Sequence, residues 1–220
     1  MSIKQTILVS LAGGAMCAVG VVGFAVGHHS APMQSSIATV AQPEGAAPTQ
    51  DMMKQMMAEQ AKLAPEHKHL LPMVGTWDAE LSFLMEPGGE PEVSKGVCVN
   101  TMILGGRFMK SDFKAEINMF GDKVAFSGFG LMGYGKEKGE FVSTWCDSMS
   151  TNLLVSTGKP GDDAKRLSLT GMSSSPMGEV PMKNVYIIES DKAHTMEFWQ
   201  GMPGTDELMK IGWIKYTKKG

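Results

Sequence analysis

Arginine is scarce in this chain. Only Arg107 and Arg166 occur among 220 residues, and the formal net charge is −3 at pH 7 with a pI near 6.0. A nucleic-acid interface needs lysines and arginines gathered on one face, and no such basic patch forms along the sequence. The composition therefore argues against nucleic acid as a partner.

Cysteine is almost as rare. Cys17 lies in an apolar segment, which leaves Cys98 and Cys146 as the one possible pair. An extracytoplasmic location would permit a disulfide between them, but their positions in the sequence do not show that their Cβ atoms meet. Two separate buried thiols on neighbouring strands are favoured over a disulfide.

Charge is missing from the N-terminal part of the chain. No Lys, Arg, Asp or Glu occurs between Lys4 and Glu44, and residues 6–27 are almost wholly apolar. That length suits a membrane-spanning helix of about 20 residues, whereas the small residues at 25–27 suit cleavage of a signal peptide. Residues 1–27 are therefore predicted to be a transmembrane anchor or a signal peptide. Either one predicts an extracytoplasmic protein of the periplasm or cell envelope, which contacts the membrane through this segment only.

Aromatic residues are absent from residues 28–50, where Ala, Pro, Ser, Gln and Thr dominate. Such a segment cannot bury enough apolar surface to fold and is predicted to be a disordered linker. Residues 51–73 form a methionine-rich helical segment, with Asp51 as the expected N-cap. The pattern Met52-Met53-Lys54-Gln55-Met56-Met57 has two interpretations, a soft-metal site for Cu(I) or an apolar face that packs on the domain behind it. Packing is favoured, and we expect no metal and no cofactor.

No helical pattern of 10–15 residues interrupts the rest of the chain, which excludes parallel βαβ units. Residues alternate instead: Trp77, Ala79 and Leu81 share one face of a strand, while Asp78 and Glu80 share the other. Similar segments, separated by Gly-, Pro- and Asp-containing turns, are predicted over 77–85, 92–104, from 107, and over 123–134, 140–147, 151–157, 165–172, 180–189, 193–200 and 207–217. The fold class is therefore all-β over residues 74–220. We expect an antiparallel up-and-down barrel of about ten strands, closed around a cavity and preceded by a short helix.

Several sequence blocks together resemble a bacterial family known as domain of unknown function 1579. They are Pro65-Glu66-His67-Lys68-His69-Leu70, Val74-Gly75-Thr76-Trp77, Leu104-Gly105-Gly106-Arg107-Phe108, Gly128-Phe129-Gly130 with Gly133-Tyr134, and Trp145-Cys146-Asp147-Ser148. The resemblance extends from about Pro65 to Lys218. It implies a barrel of the calycin type, similar in shape to lipocalins and fatty-acid-binding proteins, and it implies no established activity.

Gly75-Thr76-Trp77 also resembles the Gly-x-Trp opening of lipocalins. In that family the tryptophan packs at the closed end of the barrel under a basic residue from the last strand. The resemblance implies that Lys215 takes this position here. It concerns folding and implies no ligand.

If the Trp77 face of the first strand points inward, alternation indicates which side chains of the other strands face the interior and form the candidate site. Two strands place a tryptophan beside a carboxylate, which is an arrangement that can shift the pKa of the carboxylate. The candidate ligand-binding residues are Trp77, Arg107, Tyr134, Trp145, Asp147, Glu197 and Trp199. No catalytic residue and no metal ligand is assigned, and none of the five histidines is predicted to be internal.

Each polar candidate has a structural alternative. Asp147 suits the cap of a hairpin turn, Glu197 suits an ion pair with a basic residue, and Arg107 suits hydrogen bonds to carbonyls at the barrel rim. The leading functional prediction is a non-catalytic module that binds a small apolar or amphipathic ligand in the barrel cavity. The alternatives are a hydrolase or isomerase that uses a cavity carboxylate, and a structural or partner-binding envelope protein. The sequence specifies no oligomeric state.

Overall fold

The protein is described by a computed structural model that covers residues 48–86, 89–119, 121–175, 178–201 and 207–220. The predicted anchor or signal peptide at 1–27 and most of the predicted linker, 28–47, lie outside the described residues. Within the described ranges the chain forms one α-helix, one 3-10 helix and ten strands.

The ten strands follow the predicted segments closely, with bounds that differ by up to three residues. They are β1 Gly75–Leu84, β2 Pro91–Ile103, β3 Phe108–Met119, β4 Asp122–Gly135, β5 Glu140–Asp147, β6 Leu154–Gly158, β7 Arg166–Ser175, β8 Gly178–Ile188, β9 Ala193–Gly201 and β10 Leu208–Lys218. β6 is shorter than expected because it begins at Leu154, after a turn in which Asn152 donates its backbone N–H to Ser150 Oγ.

The strands close into an antiparallel barrel in which each strand pairs with its neighbours in the sequence. β1 completes the ring by pairing with β10, where Trp77 lies opposite Lys218 and Phe83 lies opposite Gly212. Closure leaves no unpaired sheet edge. The predicted fold class, an all-β up-and-down barrel of about ten strands, is confirmed.

The Trp77 face of β1 points inward, as predicted. The valines of β2, in contrast, do not point inward. Val93 is exposed, whereas Ser94, Cys98 and Asn100 are buried in the interior. The interior of the barrel therefore receives a thiol, an amide and a hydroxyl from this strand. The more apolar face of β2 is on the outside.

The described helices differ in burial. α1 spans Gln50–Gln60, with Thr49 rather than Asp51 as its N-cap, and none of its residues is buried. The packing of its methionines stays a prediction. Among the described residues no helix is both long and apolar enough to cross a membrane.

The 3-10 helix Pro65–Met73 packs into one end of the barrel. Leu70 has no exposed surface, and Met73 is also buried. The backbone carbonyl of Met73 accepts hydrogen bonds from Trp77 Nε1 and from Asn100 Nδ2, both at 2.8 Å. These two bonds tie the end of the helix to β1 and β2 and close this end of the barrel. We call it the closed end.

A basic side chain does lie over Trp77, but it belongs to Lys218. Its Nζ is 5.4 Å from the centre of the indole ring, and Lys218 is the register partner of Trp77. The implied role of Lys215 is therefore wrong, because Lys215 pairs with Glu80 on the outer face and is exposed.

β6 and β7 meet at the shortest ladder among the described strands, with Ser156 opposite Gly171 and Thr157 opposite Thr170. The backbones approach closely enough that a Cβ on Gly158 would overlap the carbonyl oxygen of Ser168. A methyl group at residue 158 would force the backbones of β6 and β7 apart, so the close packing of these two strands requires glycine at this position.

Replacing Gly158 with Ala is therefore expected to lower the free energy of unfolding by about 2 kcal/mol. Gly161→Ala is the matched control, since a Cβ at Gly161 meets nothing within 4 Å, and we expect its effect to be near zero. Urea denaturation of both full-length variants measures the difference. Equal stabilities would mean that the β6–β7 contact is looser than the structure shows.

Candidate ligand-binding cavity

The barrel contains a partly open cavity of about 120 Å³, counted as the space that the centres of water-sized molecules can occupy. Its wall combines aromatic, aliphatic and thioether side chains with neutral polar ones. No Asp, Glu, Lys or Arg is among the described residues that line it. Binding pockets for small molecules usually have mostly apolar walls with a few polar groups. The cavity fits that description.

Polar side chains concentrate in the half of the cavity near the closed end. Because β1 leaves the 3-10 helix at this end, odd-numbered strands begin here and even-numbered strands end here. The polar lining residues in this half are Asn100, Ser111, Ser143, Ser156, Tyr186, His194 and Tyr216, whereas Asn184 lies midway, opposite Phe198. Methionines fill spaces between them, including Met109 and Met132.

The far half of the cavity is mainly apolar and aromatic. Its lining residues include Leu81, Phe83, Phe126, Trp145, Leu154, Phe198 and Ile211. Phe83 and Phe198 stack with ring centroids 5.7 Å apart. Ser173 and Gln200 are polar side chains in this half. The cavity is thus amphipathic along its length.

The titratable groups of the cavity wall are neutral near pH 7. Burial, with a contribution from the charge of Asp112, raises the pKa of the Cys98 thiol to about 12. Burial also raises the pKa of Tyr186 to about 12, against a lowering hydrogen bond with Ser143, and raises that of Tyr216 well above its usual value. These groups offer hydrogen bonds to a ligand but no charge.

His194 lies in the cavity wall, so the prediction that no histidine is internal is wrong. Its ring stacks on Tyr216 with centroids 4.3 Å apart and meets the indole of Trp77 edge-on at 4.3 Å. Nδ1 is buried and has no hydrogen-bond partner. Burial lowers the pKa of His194 to about 4, and the ring is therefore neutral at pH 7.

Two of the seven predicted site residues, Trp145 and Trp199, line the cavity. The indole of Trp145 lies across Gly128 and Gly130 of the neighbouring strand, where a Cβ on Gly128 would overlap the ring. Because these glycines of β4 have no side chain, the indole can pack directly against the backbone of β4. Trp145 also meets Phe113 edge-on at 6.4 Å.

Three predicted residues belong to the closed end and do not line the cavity. Trp77 is fully buried beneath it, and Tyr134 packs edge-on against His67 and Phe141. Arg107 donates from Nη1 to the carbonyl oxygen of Leu104 at 2.9 Å. Its role in the turn between β2 and β3 is the structural alternative considered from the sequence.

Asp147, at the end of β5, organises a turn. Its Oδ1 accepts the backbone N–H of Met149 at 2.9 Å, and its Oδ2 accepts Trp145 Nε1 at 3.0 Å. Burial raises the pKa of this carboxyl, while these bonds and one from the backbone of Ser150 lower it. Asp147 caps the turn and fixes the indole of Trp145, and it is not part of the described cavity wall.

Glu197 lies on the outer face of the barrel, so its predicted place in the cavity is wrong. It is opposite Val185 and Trp213, and Lys210 Nζ lies 2.6 Å from its Oε1. Partial burial alone would raise its pKa. Hydrogen bonds from Lys210 and from the Trp199 indole, with the charges of Lys210 and Arg166, bring the pKa below its usual value.

Trp199 shares this outer group although it borders the cavity. Its Nε1 donates to Glu197 Oε2 at 3.2 Å, and Lys183 Nζ lies 4.7 Å from its ring centre. Thr195, Glu197 and Trp199 alternate to one side of β9, and the sequence prediction puts this side inward. The inner face instead carries His194 and Phe198, among others.

The two described cysteines are both free. Cys98 is buried in the cavity wall and donates to Asn100 Oδ1 at 3.2 Å, while Cys146 lies beside the carbonyl oxygen of Phe129 at 3.7 Å. The two thiols are separate, as favoured, but Cys146 is only partly buried and β2 and β5 are not neighbouring strands, so those parts of the interpretation are wrong. Within the described ranges, no group of three or more His, Cys, Asp or Glu side chains is arranged to hold a metal ion.

Sequence reasoning missed the neutral polar residues of the cavity. Asn100, Ser143 and Asn184 carry no sequence motif, and each alternates with outward residues that are equally ordinary. A usable signal was the alternation Ser94, Cys98, Asn100 along β2, opposite a face rich in valine. This alternation distinguishes the two faces of β2 but does not indicate which face is inner.

The fold and the cavity define a small closed antiparallel barrel with an internal cavity. The sequence matches the model of one protein family, described as protein of unknown function DUF1579, over residues 62–218. Because the match covers most of the chain, the chain belongs to this family, as its sequence blocks indicated. A comparison with curated protein sequences gives no match.

Solved structures that are similar to this chain include the following two. Rv2717c from M. tuberculosis is 15% identical with a TM-score of 0.53, over 72% of this chain and 100% of its own. EF1p2_mFAP2b bound to DFHBI is 10% identical with a TM-score of 0.38, over 70% of this chain and 99% of its own. The likeness to Rv2717c supports the barrel fold.

Proposed function

We propose that this protein is an extracytoplasmic binding protein that holds a small apolar or amphipathic ligand inside its barrel. The cavity inside the barrel, with its mostly apolar wall and a few neutral polar groups, is the observation that supports this function most directly. The N-terminal segment of the sequence supports export. No sequence motif, and no feature of the part of the chain that the structure describes, assigns the protein a catalytic role.

The alternatives have less support. An enzyme that uses Asp147 or Glu197 would need a carboxylate free to exchange protons with a substrate. Asp147 is engaged by Trp145 and a backbone N–H, and Glu197 by Lys210 on the outer face. Both carboxylates therefore serve structural contacts. The cavity, in contrast, has lining groups whose arrangement suits a bound molecule.

Binding is tested with N-phenyl-1-naphthylamine, an uncharged fluorescent probe of apolar sites. Wild-type full-length protein is expected to bind it saturably at one site, with a blue shift in emission. Ser111→Trp places an indole in the cavity wall. The indole occupies space that the probe would fill, so the probe loses contacts with the wall and is expected to bind about tenfold or more weakly.

Thr101→Trp is the matched control. Thr101 is exposed on the outer face of β2, one strand away from Ser111, so the same side chain is added without entering the cavity. This variant is expected to bind the probe like the wild type. Equal weakening in both variants would show that the probe binds elsewhere, and no saturable binding by wild-type protein would contradict the proposed function.

A further inference from the structure

The described wall of the cavity has no charged side chain, which limits the kind of amphipathic molecule that it can hold. A buried carboxylate or ammonium group needs an opposite charge or several hydrogen bonds to replace water. None of the described lining residues is an Asp, Glu, Lys or Arg, and the histidine in the wall is neutral at pH 7. A charged head group inside the cavity would therefore have no counter-ion.

Neutral hydrogen-bonding groups, in contrast, are plentiful in one half of the cavity. Tyr186 and Ser143 line the half near the closed end, together with Asn100 and Ser111. An amide offers both a donor and an acceptor, and a hydroxyl does the same. This half suits a hydroxyl, amide or ester group of a ligand.

The far half suits the apolar part of the same molecule. Phe83 and Phe198 stack there, and Trp145 lies flat over the glycines of β4. Aromatic walls of this kind bury hydrocarbon chains or rings without requiring a polar partner. A ligand that enters polar end first has its apolar part among these rings.

We infer that the cavity selects an uncharged amphipathic ligand, whose hydrogen-bonding group lies near the closed end and whose hydrocarbon or ring lies in the aromatic half. The inference rests on the proposed function and specifies its ligand class. It separates this barrel from a carrier of free fatty acids, since a fatty-acid carboxylate is ionised at pH 7.

The test is displacement of bound N-phenyl-1-naphthylamine from full-length protein at pH 7.5 by decan-1-ol, decanoate and decylammonium. These three molecules share a chain length and differ in the charge of the head group. Decan-1-ol is expected to displace the probe at a concentration about tenfold or more below that of either ion, because only the ions must be desolvated without a counter-ion. Displacement by decanoate or decylammonium at the same or lower concentration would overturn the inference.

The orientation is tested with two polar-to-apolar variants. Tyr186→Phe removes a hydroxyl near the closed end, and Gln200→Leu removes an amide from the far half. Decan-1-ol is expected to displace the probe from Tyr186→Phe only at an about fivefold higher concentration, and from Gln200→Leu at the wild-type concentration. The reverse order would overturn the orientation. If wild-type protein binds no probe, the proposed function fails as well, whereas probe binding without preference for the alcohol contradicts this inference alone.

Discussion

Between pH 7 and pH 4 the wild-type barrel is expected to lose about 3 kcal/mol of unfolding free energy that a His194→Phe variant keeps. Burial lowers the pKa of His194 from 6.5 to about 4 in the folded protein. Below pH 6.5 the unfolded chain binds a proton on this ring, while the folded chain does not until about pH 4. Stability from the neutral ring is thus present above pH 6.5 and is lost as pH falls through this window.

Phenylalanine is the informative replacement because it keeps a ring between Tyr216 and Trp77 and cannot bind a proton. Urea denaturation of wild type and variant at pH 7, 5.5 and 4 measures the difference. The carboxylates are the same in both proteins, so their common acid effect cancels. Parallel loss of stability in the two proteins would show that His194 is not buried in a neutral form.

Replacing Trp77 with Ala is expected to lower the free energy of unfolding by about 3–5 kcal/mol. Trp77 has no exposed surface and lies at the closed end of the barrel. The change leaves a large void and removes the hydrogen bond to the Met73 carbonyl. It also removes the edge contact with His194 and the contact with Lys218, so several supports of the closed end are lost together.

Trp213→Ala is the control for loss of an indole. Trp213 lies on the outer face of β10, only partly buried, with Lys210 Nζ 5.0 Å from its ring centre. We expect this variant to lose about 1 kcal/mol. Chemical denaturation of both full-length variants gives the comparison, and a Trp77→Ala loss as small as that of Trp213→Ala would contradict the described role of Trp77.

The strands and their closure could be predicted because each strand alternates in polarity and ends at a turn rich in Gly, Pro or Asp. The first strand also indicated its own inner face, since Trp77 and Leu81 alternate with Asp78 and Glu80. Asp147 illustrates a correct alternative: the turn-capping role suggested by Asp147-Ser148-Met149 is the one that the structure shows.

The inner faces of other strands could not be predicted, because period two separates two faces without saying which is inner. One face of β9 carries His194 and Phe198, and the other carries Glu197 and Trp199. Because both faces contain an aromatic residue, the sequence does not show which one is inner. Pairing with β8 and β10 decides between them, since Glu197 meets Lys210 on the outside. The same pairing places Lys218 rather than Lys215 over the indole of Trp77.

Titration with N-phenyl-1-naphthylamine tests the central claim, that the barrel interior is a binding site, most directly. We predict saturable binding to wild-type protein and to Thr101→Trp, with binding weakened by about tenfold or more in Ser111→Trp. That pattern would locate the ligand inside the barrel. Absence of saturable binding, or equal binding by Ser111→Trp and wild type, would contradict the claim.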